Sequence, residues 1–173
     1  SPGGAVNGLQ STLSAMTQLA KMKPSAVYAA TACSAAYWLS SGAGPIVADE
    51  LSMLGSVGAV IQLRNVVKAM EEEGVKFHSF KSGSLKAAGK PYEELTDEAK
   101  EHYQNLVDAN AEVFIKNIAA ARGLSADKVK KSVGDGRTML AREALQNRLI
   151  DKIGTLSDTL KIVQTDVKRR SRA

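Results

Sequence analysis

Two polar residues, Ser34 and Lys86, are of the types that could carry out nucleophilic chemistry together. A serine hydroxyl is a weak nucleophile until a base takes its proton, and hydrogen-bond donors must then stabilise the developing oxyanion. A lysine amine is such a base only when neutral, which requires desolvation or a nearby cation. The chain has two histidines, His78 and His102, and neither is convincingly placed for a Ser-His-Asp triad. The sequence therefore favours a serine nucleophile with a lysine base.

The residues around Ser34 predict a junction between a buried strand and a helix. Residues 26–31 are small or β-branched and follow a proline, a pattern typical of a buried strand. Residues 34–39 then have the pattern of a helix start. The first N–H groups of a helix lack partners within it and lie at its positive end. We therefore expect oxyanion donors beside the Ser34 hydroxyl.

Lys86 lies in a segment, residues 81–91, that is rich in lysine, serine, glycine and alanine and has no helical or strand period. This composition predicts a loop. The residues next to Lys86 are apolar, and the first carboxylate after it is Glu93. An apolar setting without a carboxylate is what a neutral lysine requires.

Structural roles are also open for these residues on spacing alone. A serine at a helix start more often caps the helix than reacts, which applies to Ser34. A lysine in a glycine- and serine-rich loop, such as Lys86, is ordinarily solvated. Ser56, in the segment Gly-Ser-Val-Gly, has turn formation as its ordinary role.

The remaining pattern predicts alternating strands and helices. In chain order we predict a helix over residues 6–19, a strand over 26–31, a helix over 34–39, a strand over 46–48, a helix over 60–70, a strand over 75–80, and helices over 96–122, 125–131 and 138–147. This alternation predicts an α/β layered domain with short, partly parallel strands and packed helices. No internal repeat is visible.

Composition narrows the class of protein. A chain of 173 residues suits one globular domain, and no apolar run approaches the roughly 20 residues of a membrane span. The single cysteine, Cys33, excludes an intramolecular disulfide, and we expect it to be a small buried residue. The chain begins with serine and has no export signal, so we expect a fragment of a longer protein, whose anchoring segment could lie outside it.

The net charge of +5 owes much to residues 168–172 at the C-terminal end. These residues include no aromatic side chain and show no period. A solvated terminus is favoured over a nucleic-acid site for such a run, so nucleic acid is not an expected partner.

Six segments of the sequence resemble, in order, features of one family. They are Ser1-Pro2-Gly3-Gly4, Ala32-Cys33-Ser34-Ala35-Ala36-Tyr37, Leu54-Gly55-Ser56-Val57-Gly58, Lys81-Ser82-Gly83-Ser84-Leu85-Lys86, Gly134-Asp135-Gly136-Arg137 and Leu149-Ile150-Asp151-Lys152-Ile153-Gly154. Together they are similar to the signal peptide peptidase A family of Ser-Lys proteases, which share the Clp protease and crotonase fold. The resemblance implies a peptidase domain over residues 1–160, incomplete at its N-terminus, and a basic tail over residues 161–173.

The resemblance also implies roles for individual residues. Ser34 would be the nucleophile and Lys86, 52 positions later, the general base. Ser56 would hydrogen-bond Lys86 and orient its amine. The oxyanion hole would be formed by backbone N–H groups near Gly3, Gly4 and Ala35. The implied enzyme is an oligomeric serine protease that acts on polypeptides without a metal or cofactor.

Shorter motifs favour one branch of that family. The family commonly has Ser-Gly-Gly at its nucleophile, whereas this chain has Ser34-Ala35-Ala36, whose two methyl groups would narrow the site floor. That segment, with Ser82-Gly83-Ser84 and Lys90-Pro91-Tyr92, looks closer to the bacteriophage prohead proteases, which process scaffold and capsid proteins inside the immature shell, within the host cytoplasm. Two alternatives stay open: a bacterial signal peptide peptidase at the inner membrane, and a non-catalytic assembly module on a crotonase-like fold.

Overall fold

A computed structural model describes residues 1–172, which form two compact units. The larger unit comprises Ser1–Gly58 and the chain from Ala111 onward, and the smaller comprises Ala59–Asn110. The larger unit contains a four-stranded sheet of β1 (Val27–Cys33), β2 (Ile46–Gly55), β3 (Thr138–Leu140) and β4 (Lys152–Ile153). Its helices pack with this sheet, which confirms the predicted α/β layered class.

Strand β2 lies at the centre of the sheet. It pairs in parallel with β1 and β4 and antiparallel with β3. The β1–β2 register shifts, so that Ala29 pairs with Ala48 but Thr31 pairs with Met53. Beyond this bulge the register continues to Cys33 opposite Gly55, so the two parallel strands end side by side.

Seven helices complete the described chain. They are α1 (Leu9–Met22), α2 (Ala35–Gly42), α3 (Val67–Glu72), α4 (Asp97–Arg122), α5 (Ala126–Val133), α6 (Ala141–Gln146) and α7 (Leu156–Arg170). Two starts follow from side-chain caps: Ser125 accepts a hydrogen bond from the Lys128 N–H, and Thr155 forms a capping box with Asp158. Within residues 1–172, no helix combines the length and apolar character needed to span a membrane.

The hydrophobic core belongs to the larger unit and gathers around α2 and the sheet. Tyr37 on α2 is fully buried, and its hydroxyl donates a 2.7 Å hydrogen bond to the Leu149 carbonyl. Burial raises the pKa of Tyr37 above its ordinary value, so the phenol stays a donor. Its neighbour Trp38 stacks on Phe114 with ring centroids 4.2 Å apart. Helix α2 is therefore fixed by both polar and aromatic contacts.

Several predicted elements differ from the structure. Residues 75–80 form no strand, although Val75 and Phe77 suggested one; Phe77 instead stacks on Tyr92 at 4.4 Å. The helix predicted over residues 60–70 is reduced to α3. Strand β2 extends well past residue 48, because the charged residues Asp49 and Glu50 lie at the bulge and the pairing with β1 resumes at Met53.

The segment 138–147 is predicted as one helix and is instead β3 followed by α6. Its first three residues pair with the end of β2, and this long-range pairing overrides the local helical pattern. Helix α7 runs across the boundary predicted at residues 160 and 161. The long helix predicted over residues 96–122 is confirmed as α4, and the Thr96 hydroxyl before it accepts from the Ala99 N–H at 3.2 Å.

Candidate active site

Ser34 lies in a sharp turn between β1 and α2, as the sequence predicts. Its backbone has φ 52° and ψ −128°, a positive-φ conformation that costs a serine of the order of 1–3 kcal/mol. The turn is held by the Ser34 N–H, which donates to the Gly55 carbonyl at 2.8 Å. The Ser34 carbonyl in turn accepts from the Trp38 N–H at 3.0 Å. The strained residue is therefore fixed from both sides.

The Ser34 hydroxyl does not serve the capping role that sequence alone left open. Although Ser34 precedes α2, its side chain makes no capping hydrogen bond within the described chain. The N–H groups at the start of α2, beginning with that of Ala35, have no carbonyl partner within the helix. A half-buried hydroxyl thus lies at a helix start whose donors it leaves unused.

Ser56 occupies the equivalent position on the neighbouring strand. Since Cys33 and Gly55 are paired in the parallel register, Ser34 and Ser56 follow them at the same edge of the sheet. Ser56 also has a positive φ, 51°, and its N–H donates to the Arg137 carbonyl at 2.7 Å. The structure therefore brings the predicted nucleophile and the predicted third residue to one edge.

Gly3 lies directly against Ser34. A Cβ placed on Gly3 would come within 2.6 Å of the Ser34 Cβ and 3.1 Å of its Oγ, and Gly3 has φ +120°. The segment before it runs beside β1, where the Cys33 N–H donates to the Ser1 carbonyl at 3.1 Å. Gly4 is different, because a Cβ there would meet no atom of residues 1–172 within 4 Å. Of the predicted oxyanion residues, the structure thus places Gly3 and Ala35 beside Ser34.

This contrast between the two glycines gives a prediction. We expect Gly3→Ala to lower kcat/KM for a peptide substrate by about 10²-fold, because the new methyl group would displace backbone donors from Ser34. Gly4→Ala is the matched control: it keeps the backbone N–H of residue 4, its methyl group would meet no described atom within 4 Å, and it should keep nearly full activity. A fluorogenic peptide assay on both purified variants measures the difference. Equal activity of the two variants would show that the approach of Gly3 to Ser34 has no role in turnover.

Lys86 belongs to the smaller unit, in a series of turns over residues 82–89. Its N–H donates to the Gly83 carbonyl at 3.1 Å, and its side chain is exposed. The apolar setting expected from sequence is thus found for its neighbours, such as the half-buried Leu85, and not for Lys86 itself. Glu93 pairs with Lys81, and Lys86 has no ion pair among residues 1–172. Its role as base stays a prediction.

Two backbone features of the site were not identified from sequence. The Gly55 carbonyl holds the Ser34 turn, and Gly55 itself packs against the Arg137 carbonyl, which a Cβ would approach to 2.8 Å. The Arg137 guanidinium donates to the Asp135 carboxylate, and these hydrogen bonds keep the pKa of that carboxyl below its ordinary value. The Gly-Asp-Gly-Arg segment is the sequence signal for this support. Every residue has a backbone carbonyl, so the residue types alone could not show which carbonyls hold the Ser34 turn.

An ion pair fixes the start of β2, the strand that ends beside Ser34. Arg122 donates two 2.9 Å hydrogen bonds to the Asp151 carboxylate, which also accepts from the Ile46 N–H at 2.7 Å. Burial raises the pKa of Asp151, but the hydrogen bonds from Arg122 and Ile46 outweigh it and leave the pKa below its ordinary value. The charged pair therefore ties α4 to the start of β2.

Cys33, directly before the nucleophile candidate, is buried as predicted. Its thiol faces the Met53 carbonyl at 3.6 Å, and burial raises its pKa above the ordinary value. A thiol in this setting is a packing group and a poor nucleophile. The serine therefore remains the candidate nucleophile at this turn.

Comparison with known proteins identifies a family. The model of peptidase family S49 matches residues 17–170. A candidate protease of Methanocaldococcus jannaschii is 33% identical over 162 residues, which cover 93% of this chain and 52% of that protein. A candidate signal peptide peptidase of Enterococcus faecium is 31% identical over 97% of this chain and 49% of that protein. Capsid assembly protease C of Escherichia phage lambda is 28% identical over 98% of this chain and 38% of that protein.

The chain thus spans about half or less of the length of these curated relatives. Among solved structures, a serine-to-alanine mutant of the 1510-N membrane-bound stomatin-specific protease matches with a TM-score of 0.56. The match covers 93% of this chain and 64% of the other at 16% identity. A likeness at this identity supports the fold alone, and it agrees with the fold class expected from sequence.

Proposed function

Because the chain belongs to peptidase family S49, we propose that it is a serine endopeptidase in which Ser34 attacks the peptide carbonyl and Lys86 is the general base. The observation that carries this proposal is the geometry of Ser34. Its hydroxyl lies in a strained strand-to-helix turn, unused for capping, with Gly3 and the start of α2 beside it. A strained turn at such a position is typical of a functional residue.

The proposed reaction has two halves. Neutral Lys86 takes the Ser34 proton as the serine oxygen attacks, and backbone N–H groups near Gly3, Gly4 and Ala35 stabilise the oxyanion. The lysine then gives its proton to the leaving amine, and the acyl-enzyme remains. Lys86 next takes a proton from water, the resulting nucleophile attacks the ester, and Ser34 regains its proton. Ser56 would hydrogen-bond the lysine amine and hold it in position.

The test of this function is covalent labelling. A serine-directed fluorophosphonate should form one adduct per chain, which mass spectrometry of the digested protein should map to Ser34. Ser40 on the same helix is the internal control and should stay unmodified, because its hydroxyl donates to the Ala36 carbonyl. Absence of any adduct at Ser34 would instead favour the alternative of another class, a non-catalytic assembly module.

The physiological substrate is a finer proposal. We infer that scaffold and capsid proteins are cleaved during phage head maturation, on the support of the short motifs around Ser34 and of the relative named as a capsid assembly protease. The relative named as a signal peptide peptidase supports degradation of signal peptides as the second candidate. Digestion of a scaffold protein and of a signal peptide side by side, followed by mass spectrometry, distinguishes the two.

A further inference from the structure

A cleft of about 540 Å³ opens in the larger unit, away from Ser34. Its walls come from the end of α1, the residues just before β1 and β2, Lys152 of β4 and residues along the length of α7. Ser25, which lines it, precedes β1, whereas Ser34 follows β1. Since a strand rises about 3.3 Å per residue, the length of β1 alone puts about 20 Å between the cleft and Ser34. The cleft is therefore separate from the candidate active site.

Fixed contacts hold the walls of this cleft. The Arg170 guanidinium donates to the carbonyls of Lys21 and Ala20 at 2.9 and 3.3 Å, which joins the end of α7 to the end of α1. Arg170 also pairs with Asp166 at 2.8 Å. Direct contacts thus join the walls of the cleft, and its volume falls within the roughly 300–1,000 Å³ typical of ligand pockets.

The charge around the cleft is positive on balance. Its lining contains four basic side chains (Lys152, Lys161, Arg169, Arg170) and two acidic ones (Asp158, Asp166). Asp166 forms ion pairs with Arg169 and Arg170, and Asp158 forms an ion pair with Lys152 at 3.2 Å. Lys161, which lines the cleft, has no ion pair among the described residues. An unneutralised ammonium therefore faces a cleft whose own carboxylates are already paired.

Apolar groups make up the rest of the lining. Ala20, Pro45 and the half-buried Ile162 contribute hydrocarbon surface next to Lys161. A free inorganic anion would leave this surface uncovered. A nucleic acid is disfavoured as well, because the described lining of the cleft contains no aromatic side chain on which a base could stack. A polypeptide segment that carries both carboxylates and apolar side chains matches both parts of the cleft.

We propose that this cleft is a docking site for an acidic, partly apolar polypeptide segment, bound through Lys161 and the apolar lining. As a docking site for substrate it rests on the proposed protease function, since it would hold a substrate segment while another part reaches Ser34. Binding itself does not require hydrolysis. The two proposals can therefore fail separately.

The test uses the full chain with Ser34→Ala, so that no peptide is cleaved. Fluorescence anisotropy should show binding of a short labelled peptide of alternating glutamate and leucine. An analogue with glutamine in place of glutamate should bind about tenfold more weakly, because its charge-assisted contacts are lost. Lys161→Glu should weaken binding of the acidic peptide by at least about tenfold, and added salt should weaken it as well.

Lys128→Glu is the matched control, because it makes the same charge change at the start of α5, where a glutamate suits the helix dipole. It should bind the peptide like the parent protein. If Lys161→Glu does not fold, as judged by circular dichroism, Lys161→Gln replaces it. Equal binding of the two peptides, equal loss in both charge variants, or displacement of the peptide by single-stranded DNA at lower concentration would overturn the proposal.

Discussion

Ser34→Ala is expected to lower peptide hydrolysis by at least about 10⁴-fold, because it removes the nucleophile from the proposed acyl-enzyme pathway. The fold should persist, since the bonds that hold this turn are made by the backbone: the Ser34 N–H to the Gly55 carbonyl and the Trp38 N–H to the Ser34 carbonyl. Rates with a quenched fluorescent polypeptide, and circular dichroism on the same samples, provide the measurement.

Ser40→Ala is the matched control for this variant. It removes one hydroxyl on α2, whose hydrogen bond among residues 1–172 is to the Ala36 carbonyl of the same helix. We expect its activity to stay close to that of the parent protein. If folded Ser34→Ala hydrolyses the polypeptide as fast as Ser40→Ala does, Ser34 is not the nucleophile.

Lys86→Met is expected to cause a loss of similar size, since without the amine no group takes the Ser34 proton. Lys86→Arg should be equally inactive, because a guanidinium stays protonated and cannot act as a base. The arginine variant separates proton transfer from simple charge. Rates for both variants, measured with the same polypeptide and normalised to folded protein, test the role of the lysine.

Lys90→Met is the control, because Lys90 is also an exposed lysine and belongs to the same predicted loop. It should retain activity. Full activity in Lys86→Met would place the base elsewhere. Activity in Lys86→Arg with none in Lys86→Met would mean that the lysine contributes charge and not proton transfer.

Elements with local signals are the ones that sequence predicts well. The long helix α4 begins after a threonine cap, and α5 begins after Ser125, whose side chain accepts from the Lys128 N–H. These signals lie within the element itself, so they need no distant partner. The strand predicted over residues 75–80 fails for the opposite reason. Its apolar pattern is real, but a strand also requires a neighbouring strand to pair with.

The candidate site divides in the same way. The types and order of Ser34, Ser56 and Lys86, and the junction of strand and helix at Ser34, can be predicted from sequence because they depend on neighbouring residues. The family resemblance adds their roles. That the Ser34 hydroxyl makes no capping hydrogen bond cannot be predicted from sequence, because a serine before a helix ordinarily caps it.

The sequence by itself thus determined a serine at a strand-to-helix junction, a lysine in a loop and an α/β class. Only the tertiary structure decided that Ser34 and Ser56 follow paired residues at one sheet edge, and that Gly3 lies against the serine side chain. It also decided that a basic cleft forms where α7 meets the end of α1. The physical reason is that these arrangements depend on strand register and on contacts between residues far apart in the chain.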